Sequence, residues 1–397
     1  MQEIVDRLAG SDRGAEIART LLLPYLNHAA TMYESGYATA DDIDASMRFG
    51  CGYPIGPLAL IDAIGAKTVA TGLDAMYAES GDDLHQPTSI LTAMAGDDST
   101  FAEVAGASAA AAPDLKHDIR VVGVVGTGTM ASGIVEVFAK SGYDVVYVGR
   151  GEDKVAGVLT AITRSLDKAI ARGKLDEDGK SNVLDRLTGS TEREALAGAD
   201  IVVEAIAEDL DIKLELFGDL DRICKPGAIL ATTTSSLSIN DCAAATKRPA
   251  DVIGMHFFNP APVMKLVEVV SGDETSADVS ETVRALCLAT GKHPVSCTDR
   301  AGFIVNALLF PYLNDAIKLH EADGDSLESI DEAMKATQLP LGPFQLLDVV
   351  GNDVSLAIEN SLVETFGHAG WAPAPLLESL VADGKLGRKT GAGFHTY

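Results

Sequence analysis

Positive charge is in short supply in this chain. Against 58 Asp and Glu residues it carries 31 Lys and Arg, a formal net charge of −27. A surface so acidic repels phosphate backbones and anionic lipid, which argues against nucleic acid and membrane as partners. Any anionic ligand must then be met by a local basic patch or by helix N-termini. Cysteine is scarce too. Cys51, Cys224, Cys242, Cys287 and Cys297 are scattered without a CxxC spacing. They read as reduced, mostly buried thiols of a cytoplasmic protein, not as a disulfide frame or metal site. No apolar run reaches the ~18 residues of a membrane span, and the opening MQEIVDRLAG is acidic and amphipathic, unlike a secretory signal. What is present is ordinary globular composition, 47% apolar and 22% charged, over 397 residues, enough for two or three domains.

The chain repeats itself. Thr20–Gly65 and Ala307–Gly351 align with a single one-residue gap, pairing Pro24 with Pro311, Asp44 with Asp331, Met47 with Met334 and Gly56-Pro57 with Gly342-Pro343. Both copies have helical periodicity with Gly/Pro punctuation, so each is expected to be a small all-α domain. The expected division is an all-α domain over 1–104, a linker over 105–118, an α/β domain over 119–298 and a second all-α domain over 299–397. Two copies in one chain are expected to pack on each other about a pseudo-twofold axis, in place of a homodimer interface. The Ala-rich stretch 105–118 reads as a surface linker, a short helix being the alternative.

Between the copies the pattern changes. IRVVGVV at 119–125 is a β-branched apolar run, hence a buried strand, and GTGTMASG follows at once, opening a helix from about Met130. DVVYV at 144–148 is the next strand. This strand–turn–helix setting makes Gly126, Gly128 and Ala131 a dinucleotide fingerprint in a Rossmann-type, mostly parallel sheet, with Thr129 and Met130 at the turn. Gly126 allows the tight turn, Gly128 lets backbone approach a pyrophosphate, and Ala131 lets helix and strand pack closely. NAD-binding folds usually place an acid at the end of the second strand for the ribose hydroxyls. Here Gly149-Arg150 stands there instead. An arginine at that point can accept a 2′-phosphate, so NADP is weighed beside NAD, and Arg150 tips the balance to NADP. Ser165, Lys168 and Arg172 share one helical face, which is either a solvated charged face or an anchor for phosphates. Strands at 201–206 and 228–232 follow, the second ending in Thr233-Thr234-Ser235-Ser236 at a strand C-terminus, where open α/β sheets bind ligands.

The segment IGMHFFNPAPVMKLVEVV, 253–270, sets His256 and Glu268 among almost wholly apolar neighbours. Buried polar groups need partners, and a His–Glu pair would satisfy both. That pair is either a satisfied core histidine or a general base oriented by a carboxylate.

At this point the chain resembles the 3-hydroxyacyl-CoA dehydrogenase family, including its 3-hydroxybutyryl-CoA dehydrogenases. The resemblance rests on GTGTMASG, VVEAIAEDLDIK, TSSLSI, HFFNPAPVMKLVEVV, GKHPVSCTDRAGFIVN and LGRKTGAGF. It implies an α/β Rossmann-type domain flanked by two related all-α domains, the N-terminal copy standing in a less usual place. It implies hydride transfer between (S)-3-hydroxyacyl-CoA and a nicotinamide, with His256 as base, Glu268 orienting it, and Ser235 and Asn306 holding the substrate oxygen. It also implies cofactor contacts by Glu208, Lys213 and Asn259, and coenzyme A contacts by Ser165 and Arg172. An acyl-CoA partner, a monomer or homodimer, and cytoplasmic location complete the expectation. A dehydrogenase of a small non-CoA hydroxy acid and a non-catalytic, crystallin-like relative are the competing readings. Three departures stand out: Thr233 where the family commonly has Asn, Ala131 for a usual Gly, and Gly149-Arg150 for the acid. Arg19 stands where Asn306 stands in the other copy, so the N-terminal copy is expected to be structural.

Overall fold

The computed structural model describes residues 2–106 and 112–397. The chain divides into two compact units, Ala110–Arg300, and Met1–Ala109 with Ala301–Tyr397. Residues 107–111 of the expected linker lie outside the described residues. Its later part is pinned to the α/β unit. The Lys116 and His117 amides donate to Thr282 Oγ1 at 3.1 and 3.2 Å, and the Asp114 amide donates to Glu281 at 3.1 Å.

The α/β unit carries one eight-stranded sheet: β1 (Val121–Val125), β2 (Asp144–Val148), β3 (Leu187–Ser190), β4 (Ile201–Glu204), β5 (Ile229–Thr232), β6 (Val252–Phe257), β7 (Leu266–Ser271) and β8 (His293–Thr298). Their order is β3-β2-β1-β4-β5-β6-β7-β8. Pairing is parallel from β3 to β6, antiparallel between β6 and β7, and parallel between β7 and β8. Central strands are apolar on both faces because helices cover both, as in parallel sheets generally. β4, β5 and β6 are buried at every position. β3 escaped the sequence reading because LTGS is a short edge strand with no buried residue. The helix Thr129–Lys140 buries Ile134, Val135 and Phe138 against this sheet, and the helix Glu152–Ala171 adds Val158, Ile162 and Leu166. Cys224, Cys242 and Cys287 are buried thiols, pushed up to about 11, about 12 and about 12 by burial. Among the described residues no cysteine pair forms a disulfide.

In the helical unit the repeat residues do identical work twice. Asp44 accepts hydrogen bonds from the Leu58 and Ala59 amides at 2.8 and 3.0 Å, capping the helix Pro57–Ile64. Asp331 accepts from the Phe344 amide at 2.9 Å, capping the helix Pro343–Val350. A β-carbon at Gly56 would lie 2.2 Å from Asp44, and one at Gly342 would lie 2.2 Å from Asp331, so the capping carboxylate itself demands the glycine. Proline follows at the first helical position, where its missing amide costs nothing. Asn27 and Asn314 each donate to two carbonyls and accept one amide from the segment leading to a later helix of their copy, Ser89–Asp97 in the first and Pro375–Ala382 in the second. The copies also meet. Tyr25 and its counterpart Tyr312 face each other with ring centroids 6.1 Å apart. A residue touching its own equivalent is what a twofold arrangement requires. Arg13, on the first copy, reaches Asp323 and Asp325 of the second at 2.6 and 2.5 Å.

One cluster in this unit strains its charge. Glu359 is 2% exposed and neither carboxyl oxygen has a hydrogen-bond partner. Burial pushes it up to about 8, opposed by Lys318 and reinforced by Asp315. Burial likewise pushes Asp315 up to about 7, with Lys318 lowering it and Asp82 raising it. Acids raised in the folded state hold protons that the unfolded chain has released. The folded chain therefore binds more protons from the ordinary carboxyl range up to about 8, and its stability falls as pH rises through that window. Glu359→Gln keeps the shape and removes one titration. Urea melts at pH 6 and pH 8.5 should show a smaller loss for the variant than for the parent, by on the order of 1–2 kcal/mol. Equal losses in both would place the titration elsewhere.

Candidate active site

The turn after β1 opens a cleft of about 640 Å³ at the C-terminal ends of β1, β2 and β4. Gly126 adopts φ +134°, and a β-carbon there would sit 2.3 Å from the Ala205 carbonyl oxygen. Only glycine fits that close approach. Gly128 is the N-cap of the helix Thr129–Lys140, and a β-carbon on it would meet nothing within 4 Å. That side of Gly128 is open, and the free amides of the helix N-terminus favour an anion there. Ala131 is fully buried. Gly126, Gly128, Thr129, Met130 and Arg150 all line the cleft, together with Thr127, Gly149, Lys154, Thr191 and Arg193. The residues present thus fit a dinucleotide: room over the turn, a helix N-terminus below it, and cations at the β2 end.

Beside this cleft lies a buried ionic network. Glu204, the last residue of β4, is fully buried. Lys213 is 1% exposed, and its Nζ donates to both carboxylate oxygens of Glu204 at 2.8 Å. Thr232 Oγ1 and the Ile206 amide donate to the same carboxylate at 2.6 and 2.7 Å, so the buried charge is fully answered. Lys213 also stands 3.2 Å from Glu208. Glu208 in turn gathers the hydroxyl loop: Thr234 Oγ1 donates to it at 2.5 Å, the Ser235 amide at 2.9 Å and the Ser236 amide at 3.3 Å. Burial raises Glu208, but Lys213, Thr234 and the Ser235 amide outweigh it and hold the carboxyl below its ordinary range. Glu208, Lys213 and Ser235 are therefore one assembly. Ser235 Oγ lies 3.4 Å from Glu208. Glu204 was overlooked in the sequence, although the signal was there: an acid inside the apolar run IVVEAI, the same kind of signal that singled out Glu268.

His256 and Glu268 meet as expected. They are directly opposite in the β6–β7 register, and His256 Nδ1 lies 2.7 Å from Glu268 Oε2. His256 is 7% exposed and Glu268 0%. A carboxylate only accepts, so Nδ1 is the donor and Nε2 is left as the basic nitrogen. The Phe258 ring packs on the imidazole at 4.6 Å between centroids. Asn259 lies just beyond, exposed, in the connection from β6 to β7. That connection is held from below by Lys292, 8% exposed, whose Nζ donates to the Ala261 carbonyl and, at 2.8 Å, to the Met264 carbonyl. Burial lowers the Lys292 ammonium from its ordinary value.

Other expected residues fall elsewhere. Ser165 is turned inward, donating to Glu136 at 3.0 Å. Arg172 is the exposed C-cap of the helix Glu152–Ala171. Asn306 is the second residue of the helix Val305–Asp323 in the helical unit, 8% exposed. In the N-terminal copy Arg19 Nη1 donates instead to the Leu8 and Gly10 carbonyls at 2.7 and 2.6 Å, tying the helix Gln2–Leu8 down. Among the described residues no group of three or more His, Cys, Asp or Glu could hold a metal ion, and no helix is long and apolar enough to cross a membrane.

The family model for the NAD binding domain of 3-hydroxyacyl-CoA dehydrogenase matches residues 121–300, and the model for its C-terminal domain matches 17–103 and 302–397. The 3-hydroxybutyryl-CoA dehydrogenase of Clostridioides difficile is 44% identical over 275 residues, 69% of this chain and 98% of its own. The mitochondrial hydroxyacyl-coenzyme A dehydrogenase of Rattus norvegicus is 44% identical over 288 residues, 70% of this chain and 91% of its own. Among solved structures, (S)-3-hydroxybutyryl-CoA dehydrogenase PaaH1 from Ralstonia eutropha aligns with a TM-score of 0.70 at 41% identity, covering 70% of this chain and 99% of that one. With both family models matched, the second of them twice, this chain belongs to the 3-hydroxyacyl-CoA dehydrogenase family.

Proposed function

We propose that the chain interconverts (S)-3-hydroxyacyl-CoA and 3-oxoacyl-CoA. The observation that carries this reading is the His256–Glu268 pair, a buried histidine held by a carboxylate in the same unit as the glycine-lined cleft. The nicotinamide, when bound, takes or gives the hydride. His256 Nε2 removes the proton of the 3-hydroxyl as the carbon–hydrogen bond breaks, and returns it in reduction. Glu268 fixes the ring and stabilises the imidazolium that forms. Ser235 and Asn306 enter as donors to the substrate oxygen, on the resemblance. Glu208, Lys213 and Asn259 enter as cofactor contacts, and Glu204 keeps Lys213 in place. Ser165 and Arg172 enter as coenzyme A contacts; Ser165 would have to release Glu136 to serve.

For the cofactor, NADP is the better fit. Arg150 and Lys154, which follow the end of β2, line the cleft, and position 149 offers no carboxylate to a ribose. Cations there suit a 2′-phosphate. The N-terminal copy serves structure alone, and the chain is expected to be a monomer or a loose dimer, since its two copies cover each other.

Three outcomes test these statements. His256→Ala should lower kcat with acetoacetyl-CoA by about 10²–10⁴-fold while nucleotide binding persists; unchanged turnover would remove His256 from the mechanism. NADPH should be oxidised faster than NADH with the same substrate, and Arg150→Ala should raise KM for NADPH roughly tenfold while sparing NADH; an equal effect on both nucleotides would reduce Arg150 to a surface charge. Arg19→Ala should lower stability by about 1–2 kcal/mol and leave turnover intact; loss of turnover in a folded variant would give the N-terminal copy a catalytic part.

A further inference from the structure

We propose that Thr127 is a specificity-determining residue, whose methyl group keeps an acidic side chain out of position 149. The inference rests on the nicotinamide dinucleotide reading of the cleft and deepens it. Gly149 follows the last residue of β2 and lines the cleft. Its backbone lies outside the left-handed region, so conformation does not require glycine there. Space does. A β-carbon at 149 would lie 2.2 Å from Thr127 Cγ2, far inside van der Waals contact, and 3.4 Å from Val155 Cγ2. Thr127 sits between Gly126 and Gly128, and the Gly126 amide bonds the Val148 carbonyl at 2.9 Å, so the turn is tied to the end of β2. The clash cannot be relieved by moving the turn without breaking that bond. A β-branched side chain also has few rotamers with which to step aside.

A carboxylate at 149 would be the group that reads the two ribose hydroxyls. With Thr127 in place, that group is excluded by volume before any charge is considered. The ribose end of the cleft is then left to Arg150 and Lys154, which suit a phosphate ester. Thr127 and Gly149 thus act as a coupled pair, and a change at either one alone is not read independently.

The test is equilibrium binding, by calorimetry on the full chain without acyl substrate, of NADH and NADPH to the parent, Gly149→Asp, Thr127→Ala and the double variant. Gly149→Asp alone should weaken both nucleotides by about tenfold or more, because the new side chain displaces the turn. Adding Thr127→Ala should restore the site, with NADH bound about tenfold more tightly than by the parent and NADPH more weakly. If Gly149→Asp alone gains as much NADH affinity as the double variant, Thr127 is no barrier and the proposal is overturned. Should Gly149→Asp fail to fold by its melting profile, Gly149→Ala replaces it. A bare β-carbon meets the same methyl, so weakened binding rescued by Thr127→Ala supports the pair, and undiminished binding overturns it. Tighter binding of NADH than NADPH by the parent would instead sink the NADP reading. The coupling would still be judged from the single against the double variant.

Discussion

A carboxylate buried in the middle of a sheet must find hydrogen-bond donors close at hand, because burying the charge unanswered costs several kcal/mol. Glu268 is such a group, and it decides how the far half of the sheet is built. Its immediate neighbours along β7, Val267 and Val269, are apolar and fully buried, and the answer comes from an adjacent strand. Antiparallel pairing sets residues directly opposite each other, and the β6–β7 register places His256 there. The reversal of strand direction after β6 and the orientation of the imidazole are therefore one constraint. The reversal needs a connection, 258–265, and Lys292 holds that connection by its carbonyls.

The same constraint acts a second time on the near half. Glu204 ends β4 as deeply buried as Glu268, and here a lysine answers it, from a helix rather than a strand. Lys213 has a third contact left for Glu208, and Glu208 draws in the loop after β5. A fully satisfied ionic chain of this kind fixes geometry more than it adds stability. Its consequence is that the hydroxyl loop after β5 is positioned by a charge inside β4. The two buried acids divide the labour: one holds the His256 imidazole, the other orders the loop and helix beside the nucleotide cleft.

The sequence made the strands of the central sheet legible because their runs are apolar on both faces, and it made the glycine turn legible because its spacing has one steric meaning. His256 and Glu268 were legible as polar residues in apolar company. Glu204 carried the same signal and was passed over as part of a strand. β3 was illegible because an edge strand of four residues has no apolar run to display. The inward turn of Ser165 was illegible for another reason: helical spacing puts a residue on a face but does not say that Glu136 waits across from it. Gly149 was read as a missing acid, whereas the coordinates supply a cause, since Thr127 fills the space. Contacts between residues far apart in sequence are what periodicity cannot encode.

The duplicated helical copies show which residues the fold needs in both places and which it leaves free to differ. Asp44 and Asp331, Gly56 and Gly342, and Asn27 and Asn314 recur because each caps or joins the same helices in both copies. Tyr25 and Tyr312 recur because the copies meet through them. Position 19 against 306 breaks the pattern. Arg19 spends its guanidinium on two carbonyls of the segment before its own helix, a bond that only an N-terminal extension provides. Asn306 has no such extension to serve. A residue that is free to differ between two copies of one fold is not required by that fold. Of the two, the arginine has acquired a structural partner in its own copy, so the difference between the positions follows the segment that precedes each helix.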